Sequence, residues 1–581
     1  MSNDATARAV SDLRLPMISV LVMSGVINVV ALAGALYMLQ VYDRVLTSQS
    51  VPTLVVLTIL VACVYVAHGI LEALRGQLLL RVGMRLDEIV MPAAYAQLVK
   101  RPLAGHAHNE AFEPVRDVDT VRSFLAGPGP VAVADLPWTP VFLGFVTVIS
   151  PTLGLMTAGG LALIVALAVV TDRATGDSEQ QTRSAASLRG REIEATLRNH
   201  ESIHAMGMLT AASDRFHDRH HDVVASQRKA GDRVIVLAAI SRVTRMMLQS
   251  AILGMGAYLS LSGELTLGAI VAASIAATRA LVPIEQAISS WHALSVARGS
   301  MSRLMGLDRE RSGSARHVTL PVPRGTLSLE QVSLRAPGSG KPLLFSLSMR
   351  LSAGQGVAIV GASGAGKSSL ARVIAGVWPA SIGTVRLDGT PIERWDSEDR
   401  GRFIGYLPQS VELFPGTIAE NIARLDDRPD ADAVIQAARE AGLHDLILDL
   451  PSGYDTRLEP GGTQLSAGQR QLLGIARALY GRPFLVVLDE PNANLDEAGE
   501  RALLAALHGV RARGGIAIVV AHRRSILSAL DMIAILDGGR LKAFGPKVEV
   551  MRNLPERIDD APLETRITAL RTGSTGGVTS L

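Results

Sequence analysis

One stretch of the chain, from Gly361 to Ser368, has the residue types that hold phosphate groups. It reads Gly-Ala-Ser-Gly-Ala-Gly-Lys-Ser. An apolar run over 357–360 precedes it and predicts a buried strand, and the segment from Ser369 onward predicts a helix. This order of strand, glycine-rich turn and helix is the context of a phosphate-binding P-loop, in which backbone N–H groups and the helix N-terminus face the phosphates.

The side chains of this loop have separate predicted tasks. Lys367 would reach the β- and γ-phosphates of a nucleotide, and the hydroxyl of Ser368 would hold Mg²⁺. For this motif taken alone, a flexible glycine turn without a ligand is the alternative. The predicted nucleotide-binding residues are Gly361, Ala362, Ser363, Gly364, Ala365, Gly366, Lys367, Ser368 and Ser369.

A second apolar run, beginning at Phe484, predicts a strand that ends in two acids, Asp489 and Glu490. Asp489 is placed to hold Mg²⁺ through water, and Glu490 to polarise an attacking water molecule. Phosphoryl transfer requires mainly charge neutralisation and in-line positioning, so a few such groups are sufficient. A helix cap is the alternative for an isolated Asp-Glu pair, and the P-loop upstream argues against it.

Three further signals follow the same logic. The sequence Leu-Ser-Ala-Gly-Gln over 465–469 precedes a predicted helix, and a serine and glycine at a helix start form a second phosphate site. Gln409 follows a predicted strand at 403–408 and is placed to sense Mg²⁺ and water, while His522 follows one at 516–521 and could contact the γ-phosphate. Taken alone, His522 is better explained as a structural cap. The predicted catalytic residues are Glu490, His522, Gln409 and Lys367, the metal ligands are Ser368, Gln409 and Asp489, and the second phosphate site adds Ser466, Gly468 and Gln469.

Composition indicates a membrane protein of more than one domain. The chain has 581 residues, of which 48% are hydrophobic and 19% charged, and its mean hydropathy is +0.28; it is more hydrophobic and less charged than an average soluble enzyme. The net charge of +3 comes without a dense basic block, so nucleic acid is not an expected partner and membrane lipids are. The single cysteine, Cys63, excludes intramolecular disulfides and thiolate zinc sites, and its apolar surroundings predict a buried, inert thiol.

Apolar segments long enough to cross a bilayer predict six spans. A cleavable signal peptide is the alternative for the first, but that segment is too long and a second span follows it closely. The tail of the second span, Glu72 to Lys100, is amphipathic and carries Arg75, and it should continue as a helix into the cytoplasm. The predicted spans are Met17–Val41, Val51–Leu71, two within Val131–Val170 separated by a tip at 150–152, Val234–Leu261 and Leu267–Ile288.

Loop charge predicts the orientation of these spans. The tips near 43–50, 150–152 and 262–266 carry one basic residue, Arg44, whereas the excursions 72–130 and 171–233 carry many. The positive-inside rule therefore places both termini in the cytoplasm. Charged residues within the spans are expected to face a cavity or the bundle interior; they are Arg242, Arg245, Arg279 and Glu285. For Arg242 and Glu285, a place on a substrate path and snorkelling to the inner face are equally good interpretations.

The segment 307–325 is charged and contains Pro and Gly, which predicts a linker. The pattern after it alternates between strands and helices and ends near residue 554. The predicted organisation is therefore a cytoplasmic segment 1–15, an all-α transmembrane domain 16–306 with six helices, the linker, an α/β P-loop domain 326–555 and a flexible tail 556–581.

The order of these motifs resembles the ATP-binding cassette of ABC transporters. It consists of the P-loop, Gln409, the signature at 465–469, Asp489-Glu490, Asn-Leu-Asp at 494–496 and His522. The six spans with two long cytoplasmic excursions resemble the type I ABC exporter fold, with one half-transporter per chain. The resemblance implies ATP and Mg²⁺ as cofactors, and a homodimer in which each ATP lies between one chain's P-loop and the other's Ser466 and Gly468. It also implies that the turns near 112–125 and 203–213 couple the spans to the cassette.

Four shorter segments resemble the permease/ATPase subunit of type I secretion systems, in its protease and lipase exporter branch. They are Met38–Leu46, Asp135-Leu-Pro-Trp138-Thr-Pro, Ala205–Met208 and Pro491–Asp496. This family implies a bacterial inner-membrane protein that moves unfolded proteins bearing an uncleaved C-terminal signal. It also implies a periplasmic adaptor (membrane fusion protein) and an outer-membrane channel as partners. Only some 16 residues precede the first span, which argues against the exporters that cleave a leader peptide.

The sequence departs from the family pattern at two positions. Ala336 stands where the family has an aromatic side chain that stacks on adenine, and Arg335 could lie over the ring instead. Ala467 replaces the first glycine of the usual signature, a change expected to be tolerable. A lipid or drug flippase on the same fold, and a soluble regulatory ATPase, are the competing functions; the finer motifs disfavour the first and the six spans the second.

Overall fold

The structure, a computed structural model, describes residues 5–103, 112–312, 321–395, 397–426, 428–462, 464–521 and 523–552. The chain divides into two compact units. One consists of residues 1–102 and 107–314, and the other of residues 103–106 and 315–581. The predicted tail 556–581 lies outside the described residues.

The described part of the first unit is helical throughout. A π-helical turn at Val41–Val45 and a helical turn at Leu46–Ser48 extend the second helix, and a 3₁₀ turn at Leu136–Trp138 joins the fifth to the sixth. The helices are α1 (Ala5–Ala31), α2 (Ala33–Gln40), α3 (Val51–Leu103), α4 (Glu113–Ala126), α5 (Gly129–Asp135), α6 (Thr139–Ile149), α7 (Pro151–Arg198), α8 (His200–Ala205), α9 (Leu209–Leu261) and α10 (Leu267–Ser312).

The predicted tips at 150–152 and 262–266 fall at breaks between these helices, whereas residues 43–48 of the first predicted tip are helical. Ser150 separates α6 from α7, and its hydroxyl accepts a hydrogen bond from the backbone N–H of Leu153, while Pro151 occupies the first helical position. Both features are ordinary helix starts. The predicted linker begins differently: α10 continues to Ser312, so residues 307–312 are helical rather than irregular.

Four helices in the described part of the chain are long and apolar enough to cross a bilayer. They are Asp12–Ser48, Val51–Arg101, Gly129–Ile149 and Leu267–Trp291, and they coincide with the predicted first, second, third and sixth spans. The predicted fourth span falls on the shorter apolar helix Pro151–Leu167. The fifth falls on α9, which is continuous there but is not among the four. The total of six spans stays a prediction.

One expectation about the side chains of α3 is wrong. Cys63 is exposed rather than buried, and only 6% of the apolar window of this span lies inside the unit. Arg75, on the amphipathic part of the same helix, is 4% exposed. It is drawn inside by a carboxylate, Asp135, whose Oδ1 lies 3.0 Å from its Nη1.

Arg75 and Asp135 belong to a buried polar cluster that joins three helices. Arg75 also donates to the hydroxyl of Ser24 at 2.9 Å, and the amide of Asn28 donates to Asp135 Oδ1 at 2.8 Å. Trp138 packs beside this cluster against Gly25, where an added Cβ would lie 2.6 Å from the indole ring. The Asp135-Leu-Pro-Trp138 motif therefore holds α1, α3 and α5 together.

The charged residues of the last two predicted spans have different surroundings. Arg245 on α9 forms an ion pair with Glu285 on α10 at 3.1 Å, so these two satisfy each other. Arg242 and Arg279 are exposed. Arg279 lies at the centre of the candidate span Leu267–Trp291, where a cation facing lipid is most costly.

The second unit contains two main sheets. A four-stranded antiparallel sheet has the order β2-β1-β4-β5, and a six-stranded sheet has the order β12-β11-β3-β10-β9-β6 and is parallel except at its β12 edge. A small pair, β7 and β8, is separate. The strands are β1 (Thr326–Arg335), β2 (Pro342–Ser352), β3 (Gly356–Val360), β4 (Ile382–Leu387), β5 (Thr390–Pro391), β6 (Ile404–Leu407), β7 (Gly416–Thr417), β8 (Arg457–Leu458), β9 (Leu485–Asp489), β10 (Ile516–Val520), β11 (Met532–Asp537) and β12 (Arg540–Pro546).

The helices of this unit pack on the faces of the parallel sheet. The strands β3, β9 and β10 are buried at every position, which explains their uninterrupted apolar sequences. The helices are α11 (Lys367–Ile374), α12 (Ser397–Phe403), α13 (Ile418–Ile422), α14 (Ala431–Glu440), α15 (His444–Leu448), α16 (Ala467–Leu479), α17 (Glu497–Ala512) and α18 (Lys547–Arg552).

Candidate nucleotide-binding site

The parallel sheet brings the predicted site residues to one edge. The registers of β3, β10, β9 and β6 are aligned, with Val520 opposite Ile359 and Asp489, and Leu407 opposite Leu488. The loops that follow these strands therefore emerge side by side at their carboxyl ends, where open α/β sheets bind ligands. They are the P-loop after β3, Asp489-Glu490 at β9, and the loop that carries Gln409 after β6.

The P-loop has the backbone geometry of a phosphate cradle. Gly364 and Gly366 have φ values of +77° and +97°, a region that residues with a Cβ rarely occupy. An added Cβ on Gly361 would overlap the carbonyl oxygen of Leu536. Helix α11 begins at Lys367, directly after Gly366, so the first N–H groups of the helix open onto the loop.

Lys367 is held inside the loop that it closes. Its side chain is buried, and the ammonium donates to the carbonyl of Gly361 at 2.7 Å and of Ala362 at 3.1 Å. A fixed ammonium at this point places one positive charge where the phosphates of a nucleotide would be.

Asp489 and Ser368 meet across the site. The hydroxyl of Ser368 donates to Asp489 Oδ1 at 3.1 Å. Asp489 is 0% exposed, and its other oxygen, Oδ2, has no hydrogen-bond partner among the residues that the structure describes. Burial raises the pKa of Asp489; the Ser368 hydrogen bond opposes the rise, Glu490 adds to it, and Arg372 and Lys367 lower it.

A magnesium ion fits this donor set. Asp489 has a buried oxygen without a partner, Ser368 supplies a hydroxyl, and Mg²⁺ prefers oxygen ligands. No cluster of three or more His, Cys, Asp or Glu that could hold a metal occurs in the described residues. Mg²⁺ takes one or two protein groups and completes its shell with phosphates and water.

Glu490 follows Asp489 in a strained backbone conformation. Its φ is +51°, which is uncommon for a residue with a side chain, and its N–H donates to the carbonyl of Val520 at 3.2 Å. Glu490 is partly exposed, whereas the strand residues before it are buried. Strain of this kind is concentrated at functional sites.

Gln409 is exposed in the loop after β6, two residues beyond Leu407. Since Leu407 is opposite Leu488, the loop position of Gln409 corresponds to that of Glu490 on the neighbouring strand. His522 lies outside the described residues; the strand before it, β10, is where the sequence predicts it.

The signature segment starts a helix, as predicted. Ser466 caps α16 in a capping box: its Oγ accepts from the N–H of Gln469 at 3.2 Å, and Gln469 Oε1 accepts from the N–H of Ser466 at 2.9 Å. An added Cβ on Gly468 would lie 2.9 Å from the carbonyl oxygen of Asn494, so this glycine is needed for close packing. Ala467 is exposed, which explains why the methyl group fits.

Three further residues order the acidic loop. The amide of Gln471 donates to the carbonyl of Pro491 at 3.0 Å, Asn492 is buried, and Asp496 caps α17 by accepting from the N–H of Gly499 at 2.8 Å. Gln471 was not a sequence-based candidate, because a polar residue inside a helix gives no signal of its distant acceptor.

Ala336 lies in a tight turn after β1. Ala336 and Gly340 close a tight turn through Ala336 N–H to Lys341 O at 2.7 Å and Gly340 N–H to Ala336 O at 2.9 Å. The side chain of Arg335, directly before it, is exposed. Stacking of Arg335 on adenine stays a prediction.

The Met38–Leu46 motif lies in the first unit, where it joins two helices. Asp43 lies in the π-helical turn and accepts from Thr266 Oγ1 at 2.7 Å and from the N–H of Gly268 at 3.0 Å. It thereby caps the N-terminus of α10, where a carboxylate is favourable. Through these hydrogen bonds the motif connects the end of the first predicted span to the start of the last.

Comparison with known protein families gives two matches, one in each unit. Residues 17–280 match the ABC transporter transmembrane region, and residues 344–493 match the ABC transporter family. Fold and site thus define an ATP-driven transporter with its helical transmembrane domain and its ATP-binding domain in one chain. ATP is its cofactor, and ATP hydrolysis is coupled to transport.

Related proteins narrow the class. The chain is 42% identical over 559 residues to the type I secretion system ATP-binding protein PrsD of Rhizobium meliloti (strain 1021), covering 96% of both chains. It is 28% identical to the cyclolysin secretion/processing ATP-binding protein CyaB of Bordetella pertussis (strain Tohama I), covering 96% of this chain and 78% of that one. The chain therefore belongs to the type I secretion ATP-binding proteins of the ABC transporter family.

A solved structure supports the fold. The structure of a bacterial Atm1-family ABC exporter with ATP bound superposes with a TM-score of 0.81 at 22% identity, covering 98% of this chain and 99% of that one. At this identity the likeness concerns the fold alone. The predicted fold class, a helical transmembrane domain followed by an α/β cassette, is confirmed.

Proposed function

We propose that this chain forms a homodimer in the bacterial inner membrane that uses ATP to move an unfolded protein with a C-terminal signal out of the cytoplasm. A periplasmic adaptor and an outer-membrane channel would complete the route. The observation that carries the proposal is the 42% identity with a type I secretion ATP-binding protein across both units. The proposed domains are 1–15, 16–306, 307–325, 326–555 and 556–581.

The proposed chemistry assigns roles to the site residues. Lys367 and the P-loop N–H groups bind the phosphates of ATP, and Ser368 and Asp489 hold Mg²⁺, which neutralises phosphate charge when it is bound. Glu490 polarises the attacking water, while Gln409 and His522 orient it and sense the γ-phosphate. Ser466 and Gly468 contact the ATP held by the partner subunit. The support is the convergence of β3, β9 and β6 and the unsatisfied Asp489 oxygen.

Features of the first unit support a polar path rather than a lipid site. Arg279 is exposed at the centre of a span, and Gln286 on the same helical face is also exposed. Polar groups at this depth face water or protein. A polypeptide in transit requires such surroundings, whereas a lipid flippase would accommodate acyl chains beside apolar walls.

The decisive experiment measures ATPase activity of the full chain in nanodiscs. C-terminal segments of secreted proteins encoded nearby are added, with scrambled versions as controls and Glu490→Gln protein as the blank. A saturable response to one segment, absent for its scrambled form, is the expected result. Stimulation by lipids or amphipathic drugs alone, without response to any segment, would favour the flippase function.

A further inference from the structure

Two arginines connect the segment that follows Gln409 to the helix that begins after Ser466. The first, Arg477, lies in the last turns of α16. It donates to the carbonyl of Glu412 at 3.0 Å, to the carbonyl of Asn421 at 3.0 Å and to Asn421 Oδ1 at 2.6 Å. Its guanidinium also lies 5.3 Å from the ring centroid of Phe414.

Asn421 fixes the conformation of the chain that Arg477 contacts. It is 0% exposed, and its amide donates to the carbonyls of Phe414 at 2.9 Å and Thr417 at 3.0 Å. Its Oδ1 also accepts from the N–H of Phe414 at 3.0 Å. Residues 412–424, named here the connecting segment, include β7 and α13, and Asn421 ties α13 to the chain that precedes it.

The second arginine, Arg424, lies at the end of the connecting segment and reaches back to the same helix. Its guanidinium donates to the carbonyls of Arg477 at 2.9 Å, Ala478 at 3.1 Å and Tyr480 at 3.1 Å. These are carbonyls at the C-terminal end of α16, which lack partners within the helix and favour a cation. It also donates to the carbonyls of Gly401 in α12 and of Ile404 at the start of β6.

The backbone at Arg424 and Leu425 is strained, and the contacts of the Arg424 side chain hold it in this conformation. Arg424 and Leu425 have φ values of +62° and +63°, and two successive residues with side chains in this region are uncommon. Burial lowers the pKa of Arg424 to about 10, so the group still carries its charge at neutral pH. The strain and the buried charge are both compensated by the helix end that Arg424 binds.

We propose that Arg477 and Arg424 are positioning residues that make the connecting segment and α16 move as one body. Displacement of Gln409, three residues before Glu412, then moves Ser466 at the other end of α16, a rod of about 20 Å. The inference rests on the proposed function, in which Gln409 senses one ATP and Ser466 contacts the other. It adds the physical link by which occupancy of one site prepares the second.

The link predicts a particular kinetic defect. Neither arginine is in the P-loop, so ATP binding should be unchanged when either is altered. Lysine keeps the positive charge but cannot make the forked contacts of a guanidinium. The Arg477→Lys and Arg424→Lys chains should therefore bind ATP normally but close slowly and without cooperation between sites.

The matched control is Arg511→Lys. Arg511 lies in the last turn of α17 in the same unit and binds the backbone carbonyls of Gly354 at 3.2 Å and Ala529 at 2.6 Å and the carboxylate of Asp531 at 3.0 Å, none of which belongs to the connecting segment. ATP affinity, kcat, KM, the Hill coefficient for ATP and Tm would be measured for all three variants and the wild type in nanodiscs.

The expected result is a lower Tm in all three variants, with ATP affinity within about twofold of wild type. Arg477→Lys and Arg424→Lys should also lower kcat at least about tenfold, the effect of one lost charge-assisted contact, and reduce the Hill coefficient to one. Arg511→Lys should keep wild-type kcat and cooperativity. Wild-type kinetics in Arg477→Lys, or an equal loss of kcat in Arg511→Lys, would overturn the link alone. A wild-type Hill coefficient of one would contradict both the link and the shared ATP sites.

Discussion

Two buried carboxylates, one in each unit, differ in how completely their oxygens are bonded. Asp135 in the transmembrane unit accepts from Arg75 and from Asn28. Asp489 in the cassette accepts from Ser368 on one oxygen, while the other has no partner in the described part of the chain. A charge buried with its donors is a structural element, whereas a charge buried with an unsatisfied oxygen is prepared for a ligand.

Because of this difference, substitution of the two residues should affect different properties of the protein. Removing Asp135 leaves Arg75 buried without a counter-charge, so the folded protein should become less stable. Removing the charge of Asp489 removes the cost of burying that charge in the free protein, and the substitution should instead lower the ATPase activity. The predictions below follow in order of decreasing effect.

Asp489→Asn should remove most catalysis while leaving the fold intact. Loss of the metal ligand should lower kcat for ATP by about 10³-fold or more, because the charge of the transferring phosphate is no longer neutralised. Steady-state ATPase assays in nanodiscs measure this. Residual activity within tenfold of wild type would show that Asp489 is not the ligand assumed here.

Asp135→Asn should act on stability instead. A buried arginine without its counter-charge costs about 3–5 kcal/mol, so the transmembrane unit should melt earlier. Thermal unfolding in detergent measures the effect, and ATPase activity of the fraction that remains folded serves as the control. An unchanged melting profile would mean that Asn28 and Ser24 suffice to satisfy Arg75.

The double variant Arg75→Met with Asp135→Leu sharpens the same contrast. Replacing both members of a buried ion pair with apolar groups of similar size is often neutral. We expect most of the lost stability to return. A deficit of about 1 kcal/mol should remain, because Ser24 and Asn28 lose their hydrogen-bond partners. A double variant less stable than Asp135→Asn would show that the cluster is needed as a whole.

The smallest expected effect is a pH dependence of the folding stability that arises from the carboxyl group of Asp489. Burial raises the pKa of its carboxyl in the folded protein, so the folded state binds this proton more tightly than the unfolded state does. Without metal, this group therefore destabilises the fold increasingly as pH rises above about 4, the ordinary pKa of Asp. The Tm advantage of Asp489→Asn over wild type in EDTA should grow as pH rises from there through the raised pKa of Asp489. A difference that does not change with pH would argue against the burial effect.

Sequence predicted the cassette far better than the transmembrane cluster, and the reason is distance along the chain. The P-loop and the strand before Asp489 are contiguous, so residue type and spacing identify them locally. Ser24 and Asn28 lie 51 and 107 residues from the partners that satisfy them, and Arg75 on an amphipathic helix has the same pattern whether it faces water or a carboxylate. The connecting segment has the same property, since Arg477 meets Asn421 56 residues away.

Folded geometry also decided features that pattern could not. The exposure of Cys63 depends on which face of α3 the other helices cover, and an apolar run does not reveal this. That Gln409 and Glu490 follow neighbouring strands at corresponding positions could be inferred only from the pairing of β6 with β9. Motifs predicted the residues of the site, and the order of strands in the sheet places the P-loop, Asp489 and the loop of Gln409 at the same edge.

The most direct test of the contrast is thermal unfolding with and without Mg²⁺ and ATP, on wild type, Asp489→Asn and Asp135→Asn in parallel. If Asp489 is completed by the metal and Asp135 by the protein, Mg²⁺ added to ATP should raise Tm equally in wild type and Asp135→Asn. It should add nothing beyond ATP alone in Asp489→Asn. An equal Mg²⁺-dependent rise in all three proteins would contradict the assignment of Asp489.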